Sequence, residues 1–387
     1  MDHSVNVEKV LYEQFGPGQP VLIATAPGRV NLIGEHTDYN DGYVLPMAID
    51  YGMTIAGRLQ NGASVKVHSV DYNRTVTFSL REPLEYDREN PWSNYLRGVC
   101  WAMQERGINL PGMELVFGGD IPQGAGLSSS AALEVAAAFI FQRLSGFDLG
   151  RLETAQLCQR AENEFVGMKC GIMDQCASVM GKAGHALFLD CRFLDLQQIP
   201  LDLGDYRILV CHSGVKHELV ASEYNRRRQS CLEGVAVLQR HFPEIRALRD
   251  ANLDMLEEVR SEMSAEVARR CYHVITENQR VLDSIGALSQ GDLAGFGGLM
   301  NQSHDSLRDD YEVSCAEVDL LVELARKIPG VLGARITGGG FGGCTVNLLA
   351  AEAVERFERE VRQAYLAQTG INPASFVCTP AEGAKIK

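Results

Sequence analysis

Ile121-Pro122-Gln123-Gly124-Ala125-Gly126-Leu127-Ser128-Ser129-Ser130-Ala131-Ala132 follows an extended apolar run, Met113 to Phe117, and opens an alanine-rich run from Ala131 to Leu144. Strand, glycine-rich loop and helix start is the layout that binds phosphate. Glycines let the backbone approach an anion closely, and the free N–H groups of the first helical turn point at it. Ser128, Ser129 and Ser130 add hydroxyls that can reach phosphate oxygens or a bound cation. No lysine follows the second glycine, so this is not the common P-loop. Ser129 stands where the dinucleotide fingerprint needs its third glycine. An ordinary serine-capped helix is the plainer alternative. Two glycines, three serines and two alanines together exceed what capping needs.

The rest of the chain frames that loop. Its 387 residues allow about two domains of ordinary size, and 45% hydrophobic residues can bury a sizeable core. A formal net charge of −14 argues against a general nucleic-acid or membrane-surface binder. A phosphate site must then be built locally, from backbone N–H groups and a few cations. Met1-Asp2-His3-Ser4-Val5 shows no basic segment leading into an apolar core, and no run is long enough to cross a membrane. Eleven scattered cysteines, with no Cys-x-x-Cys pair, read as reduced thiols rather than disulfides or a zinc site. The expected compartment is the cytoplasm.

Strands and helices alternate in both halves. Val21 to Thr25, Val65 to Ser69 and Thr75 to Phe78 read as strands, within a β-rich stretch from 43 to 80. Trp92 to Arg106, Leu152 to Phe165 and Met173 to Met180 read as helices, and Ala186 to Leu189 and Tyr206 to Cys211 as strands. Arg192 to Gly204 is the expected domain junction, giving an N-terminal lobe over 1–200 and a C-terminal lobe over 201–387. Helical patterns fill Ala221 to Lys327, with Arg226-Arg227-Arg228 read as a solvated helix face. Ala334 to Thr337 and Thr345 to Leu349 read as strands, Glu352 to Leu366 as a helix and Ser375 to Cys378 as a strand. The fold class expected is α+β.

Three further clusters carry chemistry. Ala26-Pro27-Gly28-Arg29-Val30-Asn31-Leu32-Ile33-Gly34-Glu35-His36-Thr37-Asp38-Tyr39 places an arginine, two carboxylates and a histidine on a short loop after a strand. Carboxylates accept from sugar hydroxyls and imidazole can donate or accept, so the loop suits a small polyhydroxylated ligand. Thr337-Gly338-Gly339-Gly340-Phe341-Gly342-Gly343 formally contains G-x-G-x-x-G, but Cys344 to Leu349 continues as a strand, which removes the nicotinamide reading. A tight loop near a ligand or another loop fits better. Glu162, late on one helix, and Asp174, opening the next, could supply a metal ligand and a base; an N-cap is the plain alternative for Asp174.

Taken together, these residues resemble the galactokinase branch of the GHMP sugar and small-molecule kinases. Gly28 to Asp38 is similar to its sugar signature, Pro122 to Ala132 to its ATP loop, and Thr337 to Gly343 to its third motif. Trp92-Ser93-Asn94-Tyr95 and Ser222-Glu223-Tyr224-Asn225 also look like the family, so the resemblance covers nearly the whole chain.

The resemblance implies a two-lobed GHMP kinase fold, with a ribosomal-S5-like N-terminal lobe and a ferredoxin-like C-terminal lobe. It implies phosphoryl transfer from ATP to the anomeric hydroxyl of α-D-galactose, the entry step of galactose catabolism by the Leloir pathway. By the same resemblance Asp174 is the catalytic base and Arg29 its basic partner. Glu35, His36, Thr37, Asp38, Gly171, Asp174 and Tyr224 are the sugar contacts. Gly124, Ala125, Gly126, Leu127, Ser128, Ser129 and Ser130 hold the ATP phosphates, with Ser69 and Trp92 on the adenosine side. Ser130 and Glu162 hold Mg²⁺. The expected partners are galactose and ATP, with no nucleic acid and no membrane, for a monomer. Another GHMP sugar kinase, acting on N-acetylgalactosamine or arabinose, remains open, because pocket size near the sugar 2-position is not visible in a sequence. A non-enzymatic galactose sensor is disfavoured by the complete run Ser128 to Ala132.

Overall fold

The computed structural model of the protein describes residues 6–122, 126–215 and 220–387. Helix α1 (Val7–Phe15) opens it, burying Val7 and Leu11 against Ala56 and Val116. Strands β1 (Leu22–Asn31), β2 (Tyr43–Val44), β3 (Pro46–Leu59), β4 (Ser64–Ser69) and β5 (Arg74–Ser79) follow. Helix α2 (Asn94–Glu105) and strand β6 (Met113–Gly119) lead to α3 (Ser129–Ser145), α4 (Arg151–Arg160) and α5 (Met173–Met180). Between α4 and α5 the expected single helix breaks into a π-helical turn, Ala161–Val166. Strands β7 (His185–Asp190) and β8 (Asp195–Pro200) form an antiparallel hairpin. The segment expected to be only a junction therefore carries a strand.

The second half begins with β9 (Tyr206–His212) and continues through α6 (Val220–His241), α7 (Leu253–Val259), α8 (Ala265–Ser289), α9 (Leu293–Asp309) and α10 (Ala316–Arg326). It closes with β10 (Val331–Thr337), β11 (Cys344–Ala350), α11 (Val354–Thr369), β12 (Ala374–Cys378) and β13 (Lys385–Ile386). Among the described residues the strands form a six-stranded sheet, β13-β1-β3-β6-β4-β5, a four-stranded sheet, β10-β11-β9-β12, and a small sheet, β2-β7-β8. This is the expected α+β architecture. The chain then returns: β13 pairs with β1, Ala381 N donates to Ala48 O at 3.0 Å, and Ala384 N donates to Ser178 O at 2.9 Å. A single cut at 200/201 places this tail with the wrong sheet, because a two-residue strand carries too little pattern to show its partner.

Two local features position the cleft. The β1–β3 register shifts between Pro27 and Arg29, and Pro is tolerated in a strand at such a bulge. The bulge re-aims Arg29. Helix α3 is buried on nearly all sides, with Ala131, Ala132, Ala136, Ala137 and Ala138 fully covered. Such small residues let its backbone lie close against β1 and β3, and a helix apolar all round belongs in a core. Its N-terminus therefore points from the core into the cleft, while Gly146, at φ 73°, stops it by donating its N–H to Gln142 O.

One expectation fails within α6. Arg226 is solvated, but Arg227 is buried, donating to Tyr311 O at 2.8 Å and Glu312 O at 2.7 Å beneath the ring of Phe341. A helix turns 100° per residue, so neighbours in a charge run need not share a face.

Candidate active site

Segments far apart in sequence meet at one cleft of about 250 Å³, near the small end of ligand pockets, which run roughly 300–1,000 Å³. Arg29 enters it from β1, Glu35, His36 and Asp38 from the loop after β1, Gly126 to Ser130 before and at the start of α3, and Gly171 and Asp174 at the start of α5. Tyr224 comes from α6, and Gly338 and Gly339 from the turn after β10. Gln123, Gly124 and Ala125 lie outside the described residues.

Arg29 is the junction. Its Nε and Nη2 each donate at 2.7 Å, to Asp174 Oδ1 and Oδ2. Its Nη1 donates to Gly126 O at 2.8 Å, and its backbone N–H to Leu127 O at 3.1 Å. One residue thus ties the carboxylate to the glycine-serine loop. The fork geometry suits arginine, whose planar guanidinium matches a carboxylate in two parallel bonds. Burial works against the charge of Arg29, and Asp174 beside it more than reverses that, leaving its pKa raised. The approach depends on Gly28, because a Cβ there would stand 2.6 Å from Leu127 O. Ser128 has a left-handed backbone, φ 58°, and its hydroxyl donates to Asp174 Oδ2. Asp174 is thereby fixed by two residues and remains partly open to the cleft. The Leu127 side chain is buried, so its share in the loop is its backbone.

The loop after β1 divides its labour. Glu35 Oε1 accepts from Gly338 N at 2.8 Å and Thr337 Oγ1 at 3.1 Å, with Arg335 Nη2 at 3.3 Å. It therefore holds the third glycine motif as well as lining the cleft. The Thr37 hydroxyl lies against two backbone carbonyls, Gly34 O at 2.8 Å in its own loop and Tyr43 O at 2.6 Å on β2, and does not line the cleft. His36 sits at φ 64°; its Nδ1 meets the Tyr39 hydroxyl at 2.7 Å, and its buried Nε2 has no protein partner among the described residues. Burial, followed by the nearby His273, Arg227 and Arg335, pushes its pKa well below the usual histidine value, so the ring is neutral. Burial and then the charge of Asp174 push Asp38 up to about 7. Gly171 packs directly on the Asp38 carboxylate, and the Tyr224 ring lies tilted, 5.4 Å from that of His36.

Behind the serines lies a second acidic group. Glu162, on the π-helical turn, hydrogen-bonds Ser130 and accepts from Gln175 Nε2 at 2.7 Å and Cys170 Sγ at 3.2 Å. π-turns inside helices concentrate at functional sites. Burial first, then Asp174, raises the Glu162 pKa. Glu134, wholly buried on α3, is raised further by burial and by Glu162. Among the described residues no three or more His, Cys, Asp or Glu side chains converge as a protein-only metal site. A magnesium ion carried by nucleotide phosphates needs only one or two protein oxygens, and Ser130 and Glu162 offer hard ones. Ser69 and Trp92 stay outside the cleft. Ser69 pairs with Phe117 across β4 and β6, and Trp92 packs on the same phenyl ring at 5.4 Å. Both sit beside the strand that runs into the glycine-serine loop.

The sequence reading missed Cys170, Met173 and Asn225, which also line the cleft beside anticipated residues. It also missed Glu277 on α8, which accepts from Gly34 N at 2.9 Å and Ser303 Oγ at 2.6 Å and so sets the course of the loop. Only a carboxylate inside an apolar helical period marked Glu277.

Three family models match the chain: the galactokinase galactose-binding signature over residues 11–59, the GHMP kinase N-terminal domain over 94–182 and the GHMP kinase C-terminal domain over 284–367. The galactokinase of Roseiflexus sp. (strain RS-1) is 47% identical over 373 residues, covering 96% of this chain and 94% of its own. That of Chloroflexus aggregans is 46% identical over 372 residues, covering 96% and 95%. The crystal structure of Lactococcus lactis galactokinase complexed with galactose superposes with a TM-score of 0.94 at 36% identity, covering 98% of both chains. Methanococcus jannaschii mevalonate kinase, at a TM-score of 0.67 and 19% identity, shares the fold.

Proposed function

Because this chain belongs to the galactokinases of the GHMP kinase family, we propose that it transfers the γ-phosphoryl group of ATP to the anomeric hydroxyl of α-D-galactose. The products are galactose 1-phosphate and ADP, the first step of galactose catabolism. The observation that carries this reading is Arg29, which grips Asp174 on the sugar side and the Gly126–Leu127 backbone on the phosphate side.

Galactose sits against Glu35, His36, Asp38, Gly171 and Tyr224. Asp174 accepts the proton of the anomeric hydroxyl, and the freed oxygen attacks the γ-phosphorus as the bond to ADP breaks. The Arg29 guanidinium balances the charge on Asp174 and on the transferring group; phosphoryl transfer depends mainly on such positioning and neutralisation. Gly124 through Ser130 receive the phosphates. Ser130 and Glu162 hold Mg²⁺, which supplies charge neutralisation at the phosphates when bound. Ser69 and Trp92 border the adenosine. Residues up to about 200 form the sugar-and-phosphate lobe, joined by the returning tail, and the rest forms the other lobe. We infer a monomer working in the cytoplasm; among the described residues no helix is long and apolar enough to cross a membrane.

Incubation with ATP, Mg²⁺ and galactose, with the product identified by phosphorus NMR, tests the reading. Phosphate on the anomeric oxygen supports it; no product, or phosphate on O6, defeats it. The same ADP-release measurement with N-acetylgalactosamine and arabinose decides between sugars.

A further inference from the structure

Four polar groups stand in file behind the sugar side of the cleft. His36 Nδ1 and the Tyr39 hydroxyl are 2.7 Å apart, the Tyr39 and Tyr311 hydroxyls 2.8 Å, and the Tyr311 hydroxyl and Cys231 Sγ 3.2 Å. Tyr311 and Cys231 are fully buried, and neither they nor Tyr39 line the cleft. The Asn40 amide donates to His36 O at 2.9 Å and also faces Cys231 Sγ at 3.6 Å.

Each hydroxyl carries one hydrogen, so every link is made in only two ways. With every hydroxyl hydrogen used within the file, all hydrogens run toward His36 or all run toward Cys231. In the second case the file ends on a thiol sulfur, a weak acceptor that already has an amide N–H aimed at it. In the first it ends on an imidazole nitrogen, the strongest acceptor of the four, facing a phenol O–H. The hydrogen bond at one ring nitrogen decides what the other nitrogen carries.

We propose that Cys231, Tyr311 and Tyr39 fix the tautomer of His36, with Nδ1 bare and Nε2 protonated, so that His36 donates a hydrogen bond into the sugar cleft. Tyr39, Tyr311 and Cys231 are positioning residues; His36 is the contact. Nε2 is buried and without a protein partner among the described residues, on a ring that lines the cleft. Burial keeps the ring neutral, so one nitrogen alone holds the proton. A donor also suits its neighbours. Glu35, Asp38 and Asp174 line the same cleft and accept hydroxyl hydrogens, leaving the oxygens of those hydroxyls in need of a donor. The inference rests on the sugar reading of the cleft only for its consequence, not for the tautomer.

The test is the ring-nitrogen NMR spectrum of the full chain labelled with 15N-histidine, without ligand. His36→Gln identifies the His36 signals among the nine histidines. A bare Nδ1 and a protonated Nε2 are expected; the reverse overturns the proposal. Tyr39→Phe removes the hydroxyl that faces the ring, so a mixture of tautomers is expected. Its KM for galactose should rise about tenfold, with the KM for ATP unchanged. A wild-type tautomer in Tyr39→Phe overturns the file as its cause. Should Tyr39→Phe not fold, Tyr311→Phe gives the same readout one link away, and the wild-type spectrum decides by itself. Galactose failing to bind the wild-type chain would sink the sugar reading while leaving the tautomer result standing.

Discussion

Gly171 lies so close to Asp38 that a Cβ at residue 171 would stand 1.9 Å from Asp38 Oδ2. The glycine backbone is the wall against which that carboxylate rests. Gly171→Ala needs no forbidden backbone angle, and the group it strikes is the end of a side chain that can turn away. The fold should therefore survive with little change in melting temperature. The sugar side should not: displacing Asp38 loses a polar contact, about 1–3 kcal/mol of galactose binding, with ATP binding intact. Calorimetric titration with each ligand checks this, and an equal loss of both would point to general distortion.

Asp38 should make galactose binding depend on pH near neutrality. Its folded pKa, about 7, lies above the ordinary value of 3.8. A raised carboxyl pKa means that the unfolded chain loses the proton first as pH rises. Asp38 therefore contributes stability below about pH 4 that is lost progressively up to about pH 7. The ionised form accepts sugar hydroxyls more strongly, so galactose affinity should climb between pH 6 and 8 through about 7. Asp38→Asn should flatten that climb. A wild-type affinity independent of pH over this range would refute the assignment.

Asp174→Asn should bind both substrates and lose roughly two to four orders of magnitude in turnover, the scale of general base catalysis. Arg29→Lys keeps a charge but cannot make both 2.7 Å bonds to Asp174 and the 2.8 Å bond to Gly126 O, so it too should be slow. Because the two residues act on one step, the double variant should be little worse than the worse single variant. Stopped-flow or steady-state turnover of all three proteins decides it; additive losses would show independent action.

Glu162→Gln should raise the Mg²⁺ concentration needed for half-maximal ADP release about tenfold or more, the scale seen even for outer-shell partners of a metal. The amide keeps the shape and can keep a bond to Ser130. Manganese binding in the presence of ATP, followed by electron paramagnetic resonance, gives a readout independent of turnover. Unchanged metal dependence would remove Glu162 from the metal.

What the sequence revealed and what it concealed follow one rule. Residues 121–132 and 26–39 were legible because close backbone approach needs glycine, and hydroxyl or phosphate recognition needs a dense run of polar types. The matching strands and helices were legible from their periodicity. Relationships between distant residues were not: Glu277 holding Gly34 N, Arg335 beside Glu35, and the file from Cys231 to His36 join positions that only the fold brings together. Ser128 was expected at the phosphates, yet its hydroxyl turns to Asp174, because its left-handed backbone aims it there. Helix α1 was not anticipated, since Val7 and Leu11 alone give too short a pattern.

The pairing of β13 with β1 has a consequence for how the protein is made. Strand β1 leaves the ribosome early, but its neighbour on that edge, with Lys387 N donating to Ile23 O at 2.8 Å, is synthesised only after both lobes. Until then β1 presents a bare edge, the kind of surface that invites pairing with another chain. Nascent chains stalled before residue 380 should thus be the species that chaperones must shield. A strand of two residues acts as the latch that ends the exposure.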